Sequence, residues 1–188
     1  MTPGRCIIDC WIAYALYWFV SAFSAKRTVE RQSLWRELAY RAPTILGAWL
    51  FTPFWGKWPF PLNLRFDNSW ATDWAGAGLC VSGLAVAIWS RWTLAGNWSA
   101  TVTFKKEHEL VERGPYRFVR HPIYTGILMM CAGSALSMGR VGPFIGVLFL
   151  TWGFWIKLRQ EEELLIRHFP IEYPSYRTRV KALVPWVL

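Results

Sequence analysis

Five apolar runs, separated by gaps that are short or rich in cations, constrain this chain more than any other feature: residues 7–23, 42–55, 74–95, 123–138 and 141–156. A hydrocarbon layer about 30 Å thick takes roughly 20 residues of upright helix. At 54% hydrophobic residues and fourteen tryptophans, the chain carries more apolar material than a soluble domain of 188 residues needs for its core. The expectation is an all-α integral membrane protein with about five transmembrane helices in a single domain over residues 1–188. Several runs are shorter than a full crossing, so their ends draw on flanking Trp, Tyr and Arg at the interface. The first run holds Asp9, has few cations before it and offers no good small-residue cleavage site, so it reads as a span rather than a signal peptide. Only Gly139 and Arg140 part the fourth and fifth runs, which predicts a tight helical hairpin. The proline- and aromatic-rich stretch 52–61 predicts an interfacial loop.

The charges sort by side. Residues 26–41 hold five Lys or Arg, residues 91–120 hold six, and the tail from Lys157 holds six; the remaining gaps keep only Arg5, Lys57, Arg65 and Arg140. With five spans the three rich clusters share one face, which the positive-inside rule makes cytoplasmic, leaving the N-terminus outside. A net charge of +9 dispersed into gaps, and not drawn into a stripe with exposed aromatics, points to membrane lipids as partners and argues against nucleic acid. Cys6, Cys10, Cys80 and Cys131 sit in apolar surroundings without CxxC spacing and read as small buried hydrophobes. Gly76, Gly78 and Gly83 lie inside the third run, where small residues let helices approach closely. There is no P-loop, no His-Glu-x-x-His and no Gly-x-Ser-x-Gly, and the histidines at 108, 121 and 168 are too scattered to suggest a zinc site.

Two polar blocks interrupt this pattern, residues 109–124 and 157–163. A fold that brings both to one side would build one polar site, dividing the chain into three spans (1–95) and a site-forming half (96–188). Lys157 and Glu161 stand four residues apart, on one helix face where the fifth run leaves the membrane. Glu161, Glu162 and Glu163 fan around the helix, so at least one faces inward and needs a cation. Pro122 suits a first helical turn and pushes His121, next to Arg120, toward extended backbone. In the tail, Leu164, Leu165, Phe169, Tyr173 and Tyr176 recur at helical spacing, broken at Pro170 and Pro174. This predicts a pair of short amphipathic helices on the cytoplasmic face over 161–180, closed by an apolar anchor at 184–188.

The ordered series His108-Glu109-Leu110-Val111, Gly114-Pro115-Tyr116, Arg120-His121-Pro122-Ile123-Tyr124, Glu161-Glu162-Glu163, His168-Phe169, Glu172-Tyr173, Tyr176 and Pro185 resembles the isoprenylcysteine carboxyl methyltransferase family and its bacterial relatives. The resemblance covers residues 96–186; the first half is matched only by hydropathy. It implies a membrane methyltransferase that uses S-adenosylmethionine, with a cytoplasmic cofactor loop. The residues it assigns to the cofactor are His108, Glu109, Leu110, Val111, Tyr116, His121, Pro122, Ile123, Tyr124 and Glu161. Its catalytic set is Lys157, Arg159, Glu161, Glu162 and Arg120, with the cation four positions before Glu161 meeting the acceptor. The family has arginine where this chain has Lys157; Arg159, two residues on, is the alternative cation. The acceptor it implies is lipophilic, a prenylcysteine-like carboxylate, with a small thiol or a lipid amine as alternatives. A membrane reductase using NADPH is the competing class, because sterol reductases share a related C-terminal segment. The oligomeric state is left open.

Overall fold

A computed structural model of the chain describes residues 1–23, 28–31, 33–52, 59–95, 103–105 and 110–187. There are five long helices, α1 (Pro3–Ala22), α2 (Leu34–Trp49), α3 (Trp70–Leu94), α4 (Pro122–Met138) and α5 (Val141–His168); four follow the apolar runs, while α2 begins eight residues before the run at 42–55 because Trp35, Arg36, Glu37 and Leu38 are compatible with helix. A short α6 (Glu172–Arg179) follows. The all-helical expectation needs one addition, a two-stranded antiparallel ribbon of β1 (Thr28–Arg31) and β2 (Thr103–Lys105). It joins the α1–α2 connection to the α3–α4 connection, a pairing between segments too far apart in sequence for local pattern to announce.

Local signals explain the helix ends. Thr2 and Ser69 cap α1 and α3 by accepting backbone N–H bonds from Arg5 at 3.3 Å and Thr72 at 3.1 Å. Gly139 closes α4 at φ +57, the left-handed conformation that glycine adopts without cost, and α5 starts two residues later. The expected hairpin is therefore present. It is buttressed from the far side by residues 62–68: Phe66 N–H donates to Gly139 O at 3.1 Å, Val141 N–H to Leu64 O at 3.1 Å, and Asn68 Nδ2 to Leu136 O at 2.8 Å.

The tail corrects the sequence reading. Residues 161–168 are not a separate amphipathic helix but the continuation of α5, which runs for 28 residues. Glu, Leu, Ile and Arg are good helix formers, and no breaker occurs before Pro170. Nor does the remainder simply lie on a surface: Tyr173, Tyr176, Ala182 and Leu183 are all buried, while Ile171, Trp186 and Val187 stand out.

Helix packing is set by glycine seams. A Cβ built on Gly83 would come within 2.5 Å of Gly126 O, and one on Gly126 within 2.6 Å of Gly83 O; Gly76 and Gly133 oppose each other in the same way one step further along. These pairs bring α3 and α4 into antiparallel contact, and Gly47 against Gly146 does the same for α2 and α5, at 2.7 and 2.8 Å. Without a hydrophobic force between helices in lipid, such backbone approach is what gains packing energy. Gly78, which the sequence groups with them, meets nothing within 4 Å and takes no part. α1 runs parallel to α3, with Ile7 and Cys10 packed on Ala77 and Cys80, and Trp11 Nε1 donating to Ser134 Oγ on α4 at 3.0 Å.

The five helices thus alternate in direction, so the ribbon, the start of α4 and the polar end of α5 share one end of the bundle. By length and composition α3 (mean hydropathy 1.4) and α5 (1.6) can each cross a membrane, while α4 is apolar but has 17 residues. α1 presents Ile8, Leu16, Phe19 and Val20 outward, each more than half exposed, as expected of a protein that sits in lipid.

Gly83→Ala or Gly126→Ala should overpack the α3–α4 seam, at a cost of about 1–3 kcal/mol, whereas Gly78→Ala should leave stability unchanged or raised. Melting temperatures of the three purified variants in detergent check this ordering.

Candidate active site

The apolar part of α5 ends near Ile156, and from there the helix carries Lys157, Glu161 and Glu162 beyond the apolar segment toward the start of α4. Glu162 is almost fully buried, and cations from three points of the chain converge on it. Arg120 reaches its Oε1 with Nη2 at 2.8 Å and Nε at 2.9 Å, His121 Nε2 lies 3.2 Å from the same oxygen, and Arg177 Nε stands 3.4 Å from Oε2. Glu161, one residue earlier and so on another side of the helix, faces a different set. Tyr124 Oη donates to its Oε1 at 2.6 Å, His121 Nδ1 lies 3.5 Å from Oε2, and Lys157 Nζ is 4.0 Å away on the preceding turn. His121 therefore bridges the two glutamates with its two ring nitrogens.

Backbone conformation explains why His121 can do this. Its φ of −125 and ψ of 59 keep it outside the helix that Pro122 begins. Its own N–H donates to Ala182 O at 3.0 Å, and Arg120 N–H donates to Lys181 O at 2.8 Å. Thr125 Oγ1 adds a bond to Leu183 O at 2.7 Å, so residues 181–183 run beside 119–121 like a short parallel strand. Arg120 Nη1 also donates to Val180 O.

Aromatic faces enclose the Glu161 side. The rings of His121 and Tyr124 stack at 5.6 Å between centroids, and Tyr124 stacks on Phe154 of α5 at 4.8 Å. Lys157 Nζ stands 5.4 Å from the Tyr124 ring centroid and 5.5 Å from that of Tyr40 on α2. Tyr116 is buried in a 3₁₀ turn, Gly114–Arg117, whose first residue sits at φ +61 against Thr93 of α3. Its carbonyl accepts from Tyr176 Oη at 2.5 Å.

The charges settle accordingly. Burial disfavours a charged imidazolium, but the Glu161 and Glu162 carboxylates outweigh it and raise the His121 pKa above its ordinary value. Burial would likewise raise Glu162, yet His121 and Arg120 hold its carboxyl down at about 2. Glu161 is lowered too, by His121, Lys157 and Tyr124 against the opposing effect of burial. The Tyr116 phenol is pushed up, first by burial and then by the Glu161 charge, and stays protonated. At neutral pH the cluster is thus two carboxylates knit by cations, with neutral tyrosines around them.

Most of the residues singled out in the sequence come together here: Arg120, His121, Tyr124, Lys157, Glu161 and Glu162 touch one another, and Tyr116, Pro122 and Ile123 are buried beside them. Leu110 packs against the Tyr173, Tyr176 and Val180 cluster, and Val111 is half-buried next to it. Arg159 does not join. Two residues past Lys157 puts it on the opposite side of α5, where it is exposed and lies over Trp155 at 5.2 Å, so it is no substitute for Lys157. His108 and Glu109 lie outside the described residues. Sequence reasoning missed Tyr40, Phe154 and Arg177, which reach the cluster only through tertiary packing and carry no local signal.

Comparison with known proteins places the chain among methyltransferases. The family model for phospholipid methyltransferase matches residues 71–172, more than half of the chain. Protein-S-isoprenylcysteine O-methyltransferase of Dictyostelium discoideum is 29% identical over 140 residues, covering 73% of this chain and 58% of that protein. The Saccharomyces cerevisiae protein of the same name is 33% identical over 98 residues, 50% of this chain and 41% of the relative. That of Rattus norvegicus is 30% identical over 118 residues, 60% and 41% respectively. The chain thus spans about half the length of the curated relatives it matches.

The linkage has a sign at each side. Glu162 is depressed from 4.5 to about 2, so its contribution to stability is complete above about pH 4.5 and is lost as pH falls through about 2. His121 is raised from 6.5, so its contribution is complete below about pH 6.5 and is lost as pH rises through its folded value. The melting temperature in detergent should therefore be highest between these limits. Glu162→Gln should lower it at neutral pH and flatten the acid limb; an unaltered acid limb would remove Glu162 from this role.

Proposed function

Since the chain belongs to the phospholipid methyltransferase family, we propose that it catalyses methyl transfer from S-adenosylmethionine to a lipophilic acceptor, a prenylcysteine-like carboxylate, at the cytoplasmic face of the membrane. The observation that carries this reading is Glu161: an ionised, largely buried carboxylate with the stacked faces of Tyr124 and His121 beside it, at the point where an apolar helix turns polar. S-adenosylmethionine, when bound, supplies an electrophilic methyl group on a sulfonium cation. A carboxylate among aromatic faces fits such a cation. Tyr116, His121, Pro122, Ile123, Tyr124 and Glu161 would hold it, together with Leu110 and Val111 and with His108 and Glu109 of the preceding segment.

In this reading the protein does little covalent work. It aligns acceptor and methyl group in line and excludes water. Lys157 receives the acceptor carboxylate, which arrives ionised and so needs no base. Arg120, Arg177 and Glu162 fix the backbone that carries His121 and thereby act as positioning residues. Five helices of alternating direction support a multi-pass arrangement, and the sorting of seventeen of the twenty-one Lys and Arg into one set of connecting segments and the tail of the sequence supports the cytoplasmic orientation. The cofactor then enters from the cytoplasm and the acceptor from the bilayer.

S-adenosylhomocysteine should raise the melting temperature of the detergent-purified protein, because a ligand of the folded state alone stabilises it, and Tyr116→Ala should diminish the shift. Glu161→Gln should lower turnover of a farnesylated cysteine analogue at least about tenfold, the scale of one lost interaction of ~1.4 kcal/mol. Lys157→Ala, assayed side by side on that analogue and on a small alkyl thiol, should impair the carboxylate substrate alone. Equal loss on both would remove Lys157 from acceptor binding, and no methylation by the wild-type protein of either would overturn the assignment of acceptor.

A further inference from the structure

Below the polar cluster, on the same end of the bundle, Arg117, Phe118, Arg179, Lys181 and Trp186 line a surface cavity of about 230 Å³. Its cations differ in their engagement. Arg179 is paired with Glu112 at 2.9 Å, while among the described residues Arg117 and Lys181 have no carboxylate partner. The Arg117 guanidinium lies 4.6 Å from the Phe118 ring centroid, which holds it over the cavity mouth at little cost in hydration. Beside these charges the chain exposes apolar surface with no cover: Trp186 is 88% exposed, Val187 71% and Phe118 44%. Trp186 also sits at φ +62, a region that a bulky residue rarely adopts.

We propose that this patch is a binding site for the headgroup of an anionic phospholipid, distinct from the acceptor site. Arg117 and Lys181 take the phosphate, while Trp186 and Val187 enter the interface beside the acyl chains. A free phosphate would answer the two cations and leave the tryptophan and valine in water; a lipid answers both, and juxtamembrane cations on the cytoplasmic side favour negatively charged lipids. The site has a mechanical link to the cluster above it. Lys181 offers its carbonyl to Arg120, the next residue offers its own to His121, and Arg117, the last residue of the 3₁₀ turn, stands three residues before Arg120. A lipid bridging Arg117 and Lys181 would therefore draw together the two backbone segments that carry Arg120 and His121.

The inference rests on this end of the bundle lying at the membrane face and does not depend on methyl transfer, so binding is the readout. The full chain in neutral detergent is titrated calorimetrically with short-chain phosphatidylglycerol, with phosphatidylcholine and with inorganic phosphate. Phosphatidylglycerol should bind at least about tenfold more tightly than phosphatidylcholine, a difference of ~1.4 kcal/mol. The preference should collapse in the double variant Arg117→Gln, Lys181→Gln and persist in Arg65→Gln on the opposite face; Trp186→Ala should weaken both lipids. Equal affinity of the wild-type protein for the two lipids would overturn the proposal, as would a preference that survives the double variant. Displacement of phosphatidylglycerol by inorganic phosphate at comparable concentration would show an anion site without lipid specificity and overturn the lipid assignment. The two wild-type comparisons stand even if the double variant fails to fold.

Discussion

A carboxylate buried at the end of an apolar helix has to be matched where it stands, and Glu162 is matched by Arg120, His121 and Arg177 at once. Each comes from a different setting: the loop after the 3₁₀ turn, the residue before α4, and α6. Stripping Glu162 of its buried partners Arg120 and His121 would leave a charge in a site with little water, which is far costlier than losing a surface pair. The cluster therefore fixes how the loop before α4, the polar end of α5 and the tail meet. Glu161, on the adjoining side of the same helix turn, is left with hydrogen-bond donors and aromatic faces instead of a guanidinium. That difference between neighbouring glutamates, one clamped and one held more lightly, is the chemical asymmetry of the site.

The clamp can form only because the helices beneath it are close. The reciprocal contacts of Gly76 with Gly133 and Gly83 with Gly126 bring α3 and α4 together backbone to backbone, and α2 and α5 are joined in the same manner at Gly47 and Gly146. Tyr40 reaches Lys157 and Gln160 Nε2 reaches Arg36 O at 3.1 Å because α2 is drawn this near to α5. Packing and chemistry are thus continuous: the same α2 carries a glycine seam at one end and an aromatic wall of the site at the other.

Much of this was legible in the sequence, for reasons that are local. Hydropathy located four of the five helices closely and the second only in part, Gly139 marked the hairpin, Pro122 kept His121 out of the helix though not fully extended, and four-residue spacing put Lys157 beside Glu161. What escaped notice depends on tertiary structure. The ribbon pairs Thr28 with Lys105 across a whole helical pair, and no pattern within either strand foretells the other. Tyr40 looks like an interface aromatic until α2 is packed on α5. Arg159 looks equivalent to Lys157 by distance along the chain, but on a helix two residues are just over half a turn, so it faces Trp155. The tail differs because Pro170 and Pro174 suggest a pair of short amphipathic helices, whereas the first merges with α5 and the second folds inward on Tyr173 and Tyr176.

The bonds from Arg120 and His121 to the carbonyls of residues 181 and 182 have a bearing on biosynthesis. The helices are made in order as the chain leaves the ribosome, and α4 and α5 can pair as soon as both have emerged. The acceptors for those two amides are made some sixty residues after the donors, so during translation His121 lacks the partner that sets its backbone. A nascent or prematurely terminated chain would hold every glycine seam and yet no formed site. Competence is in this sense acquired only after residues 181 and 182 have been added.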